Sequence, residues 1–95
     1  MLLLKERRYK LRITKTTLEE IVSDLNYLLY PDSVKNQIGW FVLDINQSGY
    51  RICRVVNPEG GQRDLTPREN GKEIYAYVSG IINGIRIAQA ELISL

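Results

Sequence analysis

The chain lacks histidine altogether and contains one cysteine, Cys53, among its 95 residues. Most zinc sites and the usual nucleophile–base pairs of hydrolases are built from His or from several Cys. The sequence therefore excludes those kinds of site. A lone Cys forms no internal disulfide, and this usage is typical of a protein in a reducing compartment. We expect Cys53 itself to be a buried, inert thiol.

Acidic side chains are the remaining source of catalytic groups, and their positions favour ordinary structural roles. Glu20 and Glu69 each stand three residues after a Thr, which is the spacing of a helix-capping box. The other acids are scattered along the chain and fit a solvated surface. We therefore expect a protein that is not an enzyme and that needs no metal and no cofactor.

Long apolar runs are absent too. No stretch approaches the roughly 20 apolar residues of a membrane span. The three leucines after Met1 are followed at once by charged residues, whereas a signal peptide has its charges before a longer apolar run. The lone Cys and the lack of both kinds of segment predict a cytoplasmic protein with no membrane association. The formal net charge of +2 does not by itself argue for nucleic acid.

The first half of the chain carries a strand pattern followed by a helix pattern. Polar and apolar side chains alternate over residues 8–14, which predicts a half-buried strand. Thr17 and Glu20 then form a capping box, and Pro31 ends the helix that follows. The apolar residues of this predicted helix recur at helical spacing: Leu18, Ile21, Val22, Leu25, Leu28 and Leu29.

Two runs rich in β-branched and aromatic residues come next, over residues 40–45 and 50–56. A short polar loop ending at Gly49 joins them, so we predict a β-hairpin. The first run is apolar on both faces, a composition typical of a central or doubly covered strand. Residues 62–65 are expected to add a short edge strand after a breaker-rich turn.

The last third of the chain predicts a long helix. Thr66 and Glu69 form a second capping box, and Pro67 suits the first helical position. The apolar face of this helix consists of Ile74, Tyr77, Val78, Ile81, Ile82, Ile85, Ala88 and Leu92. The element order is then β-α-β-β-(β)-α, which predicts a small two-layer α+β domain with a mainly antiparallel sheet packed by two helices. The domain would span residues 1–95, with residues 1–7 either disordered or extending the first strand.

Small residues form a second pattern on the last helix, at intervals of four: Ala76, Gly80, Gly84 and Ala88. Each Gly inside a helix costs about 1 kcal/mol relative to Ala, so the pattern indicates a surface that another group approaches closely. We favour a strand or the other helix of the same molecule as that group. The alternative is a partner chain or a second copy, and the contact residues would then be Tyr75, Gly80, Gly84 and Ile87.

The aromatic residues support both a core and a contact surface. Trp40 and Tyr77 are expected in the core. Tyr75 is expected on the side of the last helix away from the core, near Arg86. Tyr beside Arg is a common composition at protein-binding hot spots.

Basic residues concentrate at the start of the chain, and this strip supports an alternative function. It consists of Lys5, Arg7, Arg8, Lys10, Arg12 and Lys15. Such a strip can bind phosphates through counterion release, so a small nucleic-acid-binding regulator would use Arg8, Lys10, Arg12 and Lys15. The competing explanation, which we prefer, is a solvated strand face that its charges protect from edge pairing.

The sequence from Gly49 onward also resembles that of small phage-encoded proteins. The shared plan is a strand, a Gly-bearing turn, a helix cap at Thr66 and a final helix in which an aromatic residue, Tyr77, precedes Gly84 by seven positions. Some anti-CRISPR inhibitors of Cas9 have this plan. The resemblance covers a third to a half of the chain and implies a small, non-catalytic mobile-element protein that acts by binding. The DNA-imitating inhibitors are strongly acidic and this chain is not, so the resemblance assigns no role to any residue.

We therefore expect a small non-catalytic interaction protein that binds another protein. The resemblance implies a phage or mobile-element inhibitor of a host system, acting in the host cell cytoplasm. Nucleic acid and a second copy of the chain are the other partners left open.

Overall fold

The computed structural model describes residues 12–32, 35 and 37–94. Two helices, α1 (Lys15–Leu29) and α2 (Gly71–Ser94), pack on a three-stranded antiparallel sheet. The strands are β1 (Phe41–Asn46), β2 (Gly49–Val55) and β3 (Gln62–Asp64), in the order β1-β2-β3. The predicted α+β architecture is confirmed. Among the described strands, β2 holds the centre and β1 an edge, so the first run of the hairpin is not a central strand there. The alternative prediction, a strand covered on both faces, concerns burial and not strand order.

Helix α1 begins earlier than its sequence predicts. The N-cap is Thr14, whose hydroxyl accepts a hydrogen bond from the backbone N–H of Thr17 at 3.2 Å. Thr17 is therefore inside the first turn and is not the cap. Residues 12–14 consequently lead into the helix and are not part of a strand. Residues 8–11 of the predicted first strand lie outside the described residues.

Helix α2 begins later than predicted, because the residues before it are bound to β2. The hydroxyl of Thr66 accepts a hydrogen bond from the backbone of Ile52 at 3.1 Å, and Glu69 exchanges two backbone hydrogen bonds with Tyr50, at 2.8 and 2.9 Å. A residue held in this way cannot also start a helix, so the capping box at Thr66 is wrong. Asn70 is the actual cap, and its side-chain oxygen accepts from the N–H of Glu73 at 2.9 Å.

The hairpin has the predicted turn, and its glycine is required there. Gly49 has φ of 131°, a conformation that side-chain-bearing residues rarely adopt. A Cβ on Gly49 would also lie 2.5 Å from the carbonyl oxygen of Glu69. Because Gly49 has no side chain, the backbone of the turn can lie close to the backbone of the segment before α2.

The core lies between the two helices and one face of the sheet. Its buried members are Leu18, Ile21, Val22, Leu25, Phe41, Ile52, Ile74, Val78 and Ile82. Two aromatic residues expected there are not in it. Tyr77 is 37% exposed, because it is displaced by about 100° around the helix from buried Val78. Trp40 precedes β1 and is half-buried, with its ring stacked on that of Tyr30 at a centroid distance of 6.3 Å.

Helix α2 continues beyond the core. Its 24 residues correspond to a length of roughly 36 Å. Ile74, Val78 and Ile82 are buried, but every position from Arg86 to Ile93 is exposed. Among the described residues, no helix combines the length and apolarity that crossing a membrane would require.

Candidate functional site

The distal turns of α2 carry exposed apolar side chains on more than one side. Ile87 is 62% exposed, Leu92 71% and Ile93 85%, whereas Ile85 is half-buried. A helix of a globular protein normally buries its apolar side chains against a core. The five apolar residues Ile85, Ile87, Ala88, Leu92 and Ile93 form what we call the distal surface of α2.

This surface extends the apolar stripe that packs in the core. The stripe is spaced alternately by four and three residues, which is the spacing of a coiled-coil seam, and its members are Ile74, Val78, Ile81, Ile85, Ala88 and Leu92. The first two are fully buried and the last two are exposed. The first residues of the seam, Ile74 and Val78, therefore pack inside the domain. Among the described residues, nothing covers its last residues, Ala88 and Leu92.

The two helix glycines lie on the outer side of α2. A Cβ built on Gly80 or on Gly84 meets no atom within 4 Å, and both positions are exposed. In the described part of the chain no strand or helix packs on them, so the described residues do not supply the predicted intramolecular contact. Gly80 and Gly84 are near Ile87 on this helix surface, as the contact prediction required.

Tyr75, the fourth predicted contact residue, belongs to a different surface. It is 36% exposed and lines a groove of about 310 Å³ between α1 and α2. The walls of this groove include the acidic residues Glu20 and Asp24 of α1 and Arg86 of α2. The structure therefore separates Tyr75 from the glycines, and Tyr75 and Arg86 both line this groove.

The basic strip is only partly described. Arg12 and Lys15 are exposed, and Lys15 is the first residue of α1. Arg8 and Lys10 lie outside the described residues. Arg12 is not in a strand, so the predicted alternation does not hold at that position.

Four charged residues in and beside the sheet, Asp44, Arg51, Asp64 and Arg68, form one network. Asp44 accepts hydrogen bonds from Arg51 at 2.8 Å and from Arg68 at 2.9 Å, and these two guanidinium groups hold the pKa of Asp44 below its ordinary value. Arg51 also contacts Asp64 at 3.2 Å. The network joins the hairpin to the segment before α2, and its charges largely cancel, so it is not a site for anions.

Cys53 and the acidic pair at Glu69 offer limited chemistry. The Cys53 thiol donates to Asp64 at 3.3 Å, and burial and this contact raise its pKa, so the reactive thiolate is disfavoured. A hydrogen bond with Glu73 raises the pKa of Glu69, beside a pocket of about 200 Å³ that Tyr77 also lines. In the described part of the chain, no three Cys, Asp or Glu side chains converge as metal ligands.

Asn26 is a buried polar residue whose contacts the sequence did not predict. It is 3% exposed, and its amide group hydrogen-bonds to the backbone N–H and C=O of Phe41 at 2.8 and 2.9 Å. One sequence signal could have indicated this contact. Asn26 directly follows Leu25, a residue of the predicted apolar face, and an amide buried beside that face needs hydrogen-bond partners.

Comparison of the chain with protein-family models, with curated proteins and with solved structures gave no match.

Proposed function

We propose that this chain is a non-catalytic interaction domain that binds another protein through the distal surface of α2. The observation that carries the proposal is the exposure of Leu92 at 71% and Ile93 at 85% on a helix whose earlier turns form the core. Covering one large aliphatic side chain contributes about 1.5–3 kcal/mol. Several on one helix would therefore contribute substantially to a contact, against the cost of association.

The distal surface also suits binding because the helix is already formed. Its first turns are anchored by the buried residues Ile74 and Val78, so little backbone order has to be gained when a partner binds. A formed helix with apolar side chains fits a groove on another protein. Gly80 and Gly84 have no side chains and nothing packs on them among the described residues, so the backbone of a partner can approach the helix closely beside this surface.

We further propose a host protein as the partner, in line with the resemblance to phage-encoded inhibitors. The net charge of +2 argues against imitation of DNA as the mode of inhibition. An apolar helix end is a different means of occupying a protein surface. Inhibition of a Cas9 nuclease in a cleavage assay with purified components tests this narrower proposal.

The experiment for the binding surface compares two variants that add the same charge. The partner is first captured from nuclease-treated host lysate and identified, and its affinity is then measured with purified components. Leu92→Arg should weaken binding at least about tenfold. In the complex, a charge that loses its water would replace an apolar side chain that the partner covers. Gln47→Arg, on the exposed hairpin turn, is the matched control and should bind like the parent.

Both variants should unfold at the parent's denaturant midpoint, since neither position is in the core. Equal affinity of Leu92→Arg and the parent would refute the proposed surface. Light scattering on the same proteins shows whether the bound chain is a second copy. Binding that disappears after nuclease treatment would favour the alternative nucleic-acid function, for which the described residues supply only Arg12 and Lys15.

A further inference from the structure

Strand β1 has the composition of a central strand but lies at the edge of the sheet. Its residues Phe41, Val42 and Leu43 are apolar on both faces, and none of them is fully exposed. The opposite edge strand, β3, has three residues, all exposed, and two of them are charged. Short charged strands are a common protection against edge pairing. Strand β1 lacks this protection.

The register identifies which backbone groups of β1 point away from the sheet. On the far side of β2, Ile52 accepts from Leu65 at 2.8 Å, and Tyr50 pairs with Glu69. The N–H and C=O groups of these β2 residues therefore face away from β1. Their cross-strand partners are Leu43 and Ile45. In antiparallel pairing, Leu43 and Ile45 then direct their own N–H and C=O groups to the outer edge.

Asn26 shows that this edge accepts amide partners. Phe41 has the same orientation as Leu43, and its outward N–H and C=O are both bound by the Asn26 side chain at 2.8 and 2.9 Å. The side-chain amide thus takes the place that the backbone of a further strand would occupy. Among the described residues, no corresponding partner binds the outward groups of Leu43 and Ile45.

A groove of about 270 Å³ runs between α1 and this edge. Val22 and Leu43 contribute apolar surface to it, and Glu19 and Lys35 contribute charges of opposite sign. The one charged side chain of β1, Asp44, is bound by Arg51 and Arg68 and so presents little net charge to an added strand.

We propose that an extended peptide segment of a partner protein adds to the free edge of β1 as a fourth strand, within the groove beside α1. Main-chain hydrogen bonds to Leu43 and Ile45 would supply affinity, and the groove would select side chains on one face of the peptide. A second copy of β1 fits less well. Antiparallel pairing of Leu43 with Ile45 of the copy places Asp44 directly opposite its own counterpart, so the Asp44, Arg51 and Arg68 side chains of the two copies would crowd one another on the same face of the sheet.

The first test is amide hydrogen exchange on the full chain without a partner. The amides of Val42 and Asp44, which point to β2, should be protected, and those of Leu43 and Ile45 should exchange at least about tenfold faster. Protection of Leu43 and Ile45 in the unliganded monomer would overturn the proposal, because another part of the chain would then already occupy the edge. Protection that appears only at high protein concentration would indicate a second copy and would also overturn it.

The second test uses a display library of short random peptides as the probe. Selected peptides should alternate in side-chain character and should protect the amides of Leu43 and Ile45 on binding. N-methylation of the peptide residues that face β1 should abolish binding, whereas N-methylation of the alternate residues should leave it nearly unchanged. Absence of any selected peptide, or equal effects of both methylation patterns, would overturn the proposal.

A pair of protein variants at Ile45 completes the design. Ile45→Pro removes one outward donor and is tolerated on an edge strand, so the selected peptide should bind about tenfold more weakly. Ile45→Val keeps the donor and should bind like the parent. Because Leu92→Arg lies on α2, it should leave peptide binding unchanged. A failure of this inference is therefore distinguishable from a failure of the proposed function.

Discussion

At the scale of single residues, two glycines with different surroundings should respond to Ala in opposite directions. Gly80 is exposed in a helix and meets no atom, so Gly80→Ala should raise the free energy of unfolding by about 0.5–1 kcal/mol. Gly49 has positive φ, and a Cβ there would lie 2.5 Å from a carbonyl oxygen. Gly49→Ala should therefore lower the free energy of unfolding by at least about 1 kcal/mol.

Urea unfolding of both variants measures these changes. Gly60→Ala is a control for the backbone effect alone, since Gly60 has φ of 89° but no atom near its Cβ position. It should be less destabilised than Gly49→Ala. Loss of stability in Gly80→Ala would mean that something packs on this helix surface after all.

Residue-scale contacts were the part of the structure least accessible from sequence. Both capping boxes were plausible by spacing, but the actual caps are Thr14 and Asn70. The reason at Thr66 is tertiary, because its hydroxyl is bound to Ile52 in a strand that is distant in sequence. Local spacing carries no information about such a partner.

At the scale of elements, the buried face of α1 and the distal end of the apolar seam on α2 should differ in their contribution to stability. Leu25→Ala removes a side chain with 0% exposure and should cost about 2–5 kcal/mol. Leu92→Ala removes one that is 71% exposed and should change the free energy of unfolding by no more than about 0.5 kcal/mol. Denaturant unfolding at low protein concentration measures both. A loss above about 1 kcal/mol in Leu92→Ala would place Leu92 in the core.

Elements with strong periodicity were predicted correctly, and their arrangement was predicted less well. The apolar spacing of α1 and the turn residues of the hairpin are local signals, and both elements are confirmed. The edge position of β1 depends on which strands pair, and pairing is not local. Helical spacing likewise predicted the apolar face of α2 but not the point at which the core ends. For this reason the sequence did not predict that the distal surface of α2 is exposed.

At the scale of the whole molecule, the proposed contacts belong to different layers. The distal surface of α2 is in the helical layer, and the outer edge of β1 is in the sheet. Two independent contacts would allow the chain to bind two segments of one partner, with a gain in affinity from the second contact.

The charge network should make the stability of the whole domain depend on pH in a specific way. The pKa of Asp44 is lowered in the folded state, chiefly by hydrogen bonds from Arg51 and Arg68. A lowered pKa stabilises the fold above the unfolded value, about 4 for Asp, and this contribution is lost as pH falls through the folded value. Glu69 acts in the opposite sense. Its raised pKa favours the fold at low pH, and that contribution is lost as pH rises through the folded value.

Two variants separate these contributions when urea unfolding is followed from neutral pH to about pH 2. Asp44→Asn should be less stable than the parent at neutral pH, and the difference should shrink as pH falls below about 4, because protonation removes the same charge from the parent. Glu69→Gln should remove the loss of stability that the parent shows as pH rises above about 4.5. A difference between Asp44→Asn and the parent that stays constant at every pH would show that Asp44 acts through neutral contacts, and its ion pairs with Arg51 and Arg68 would then contribute nothing to the fold.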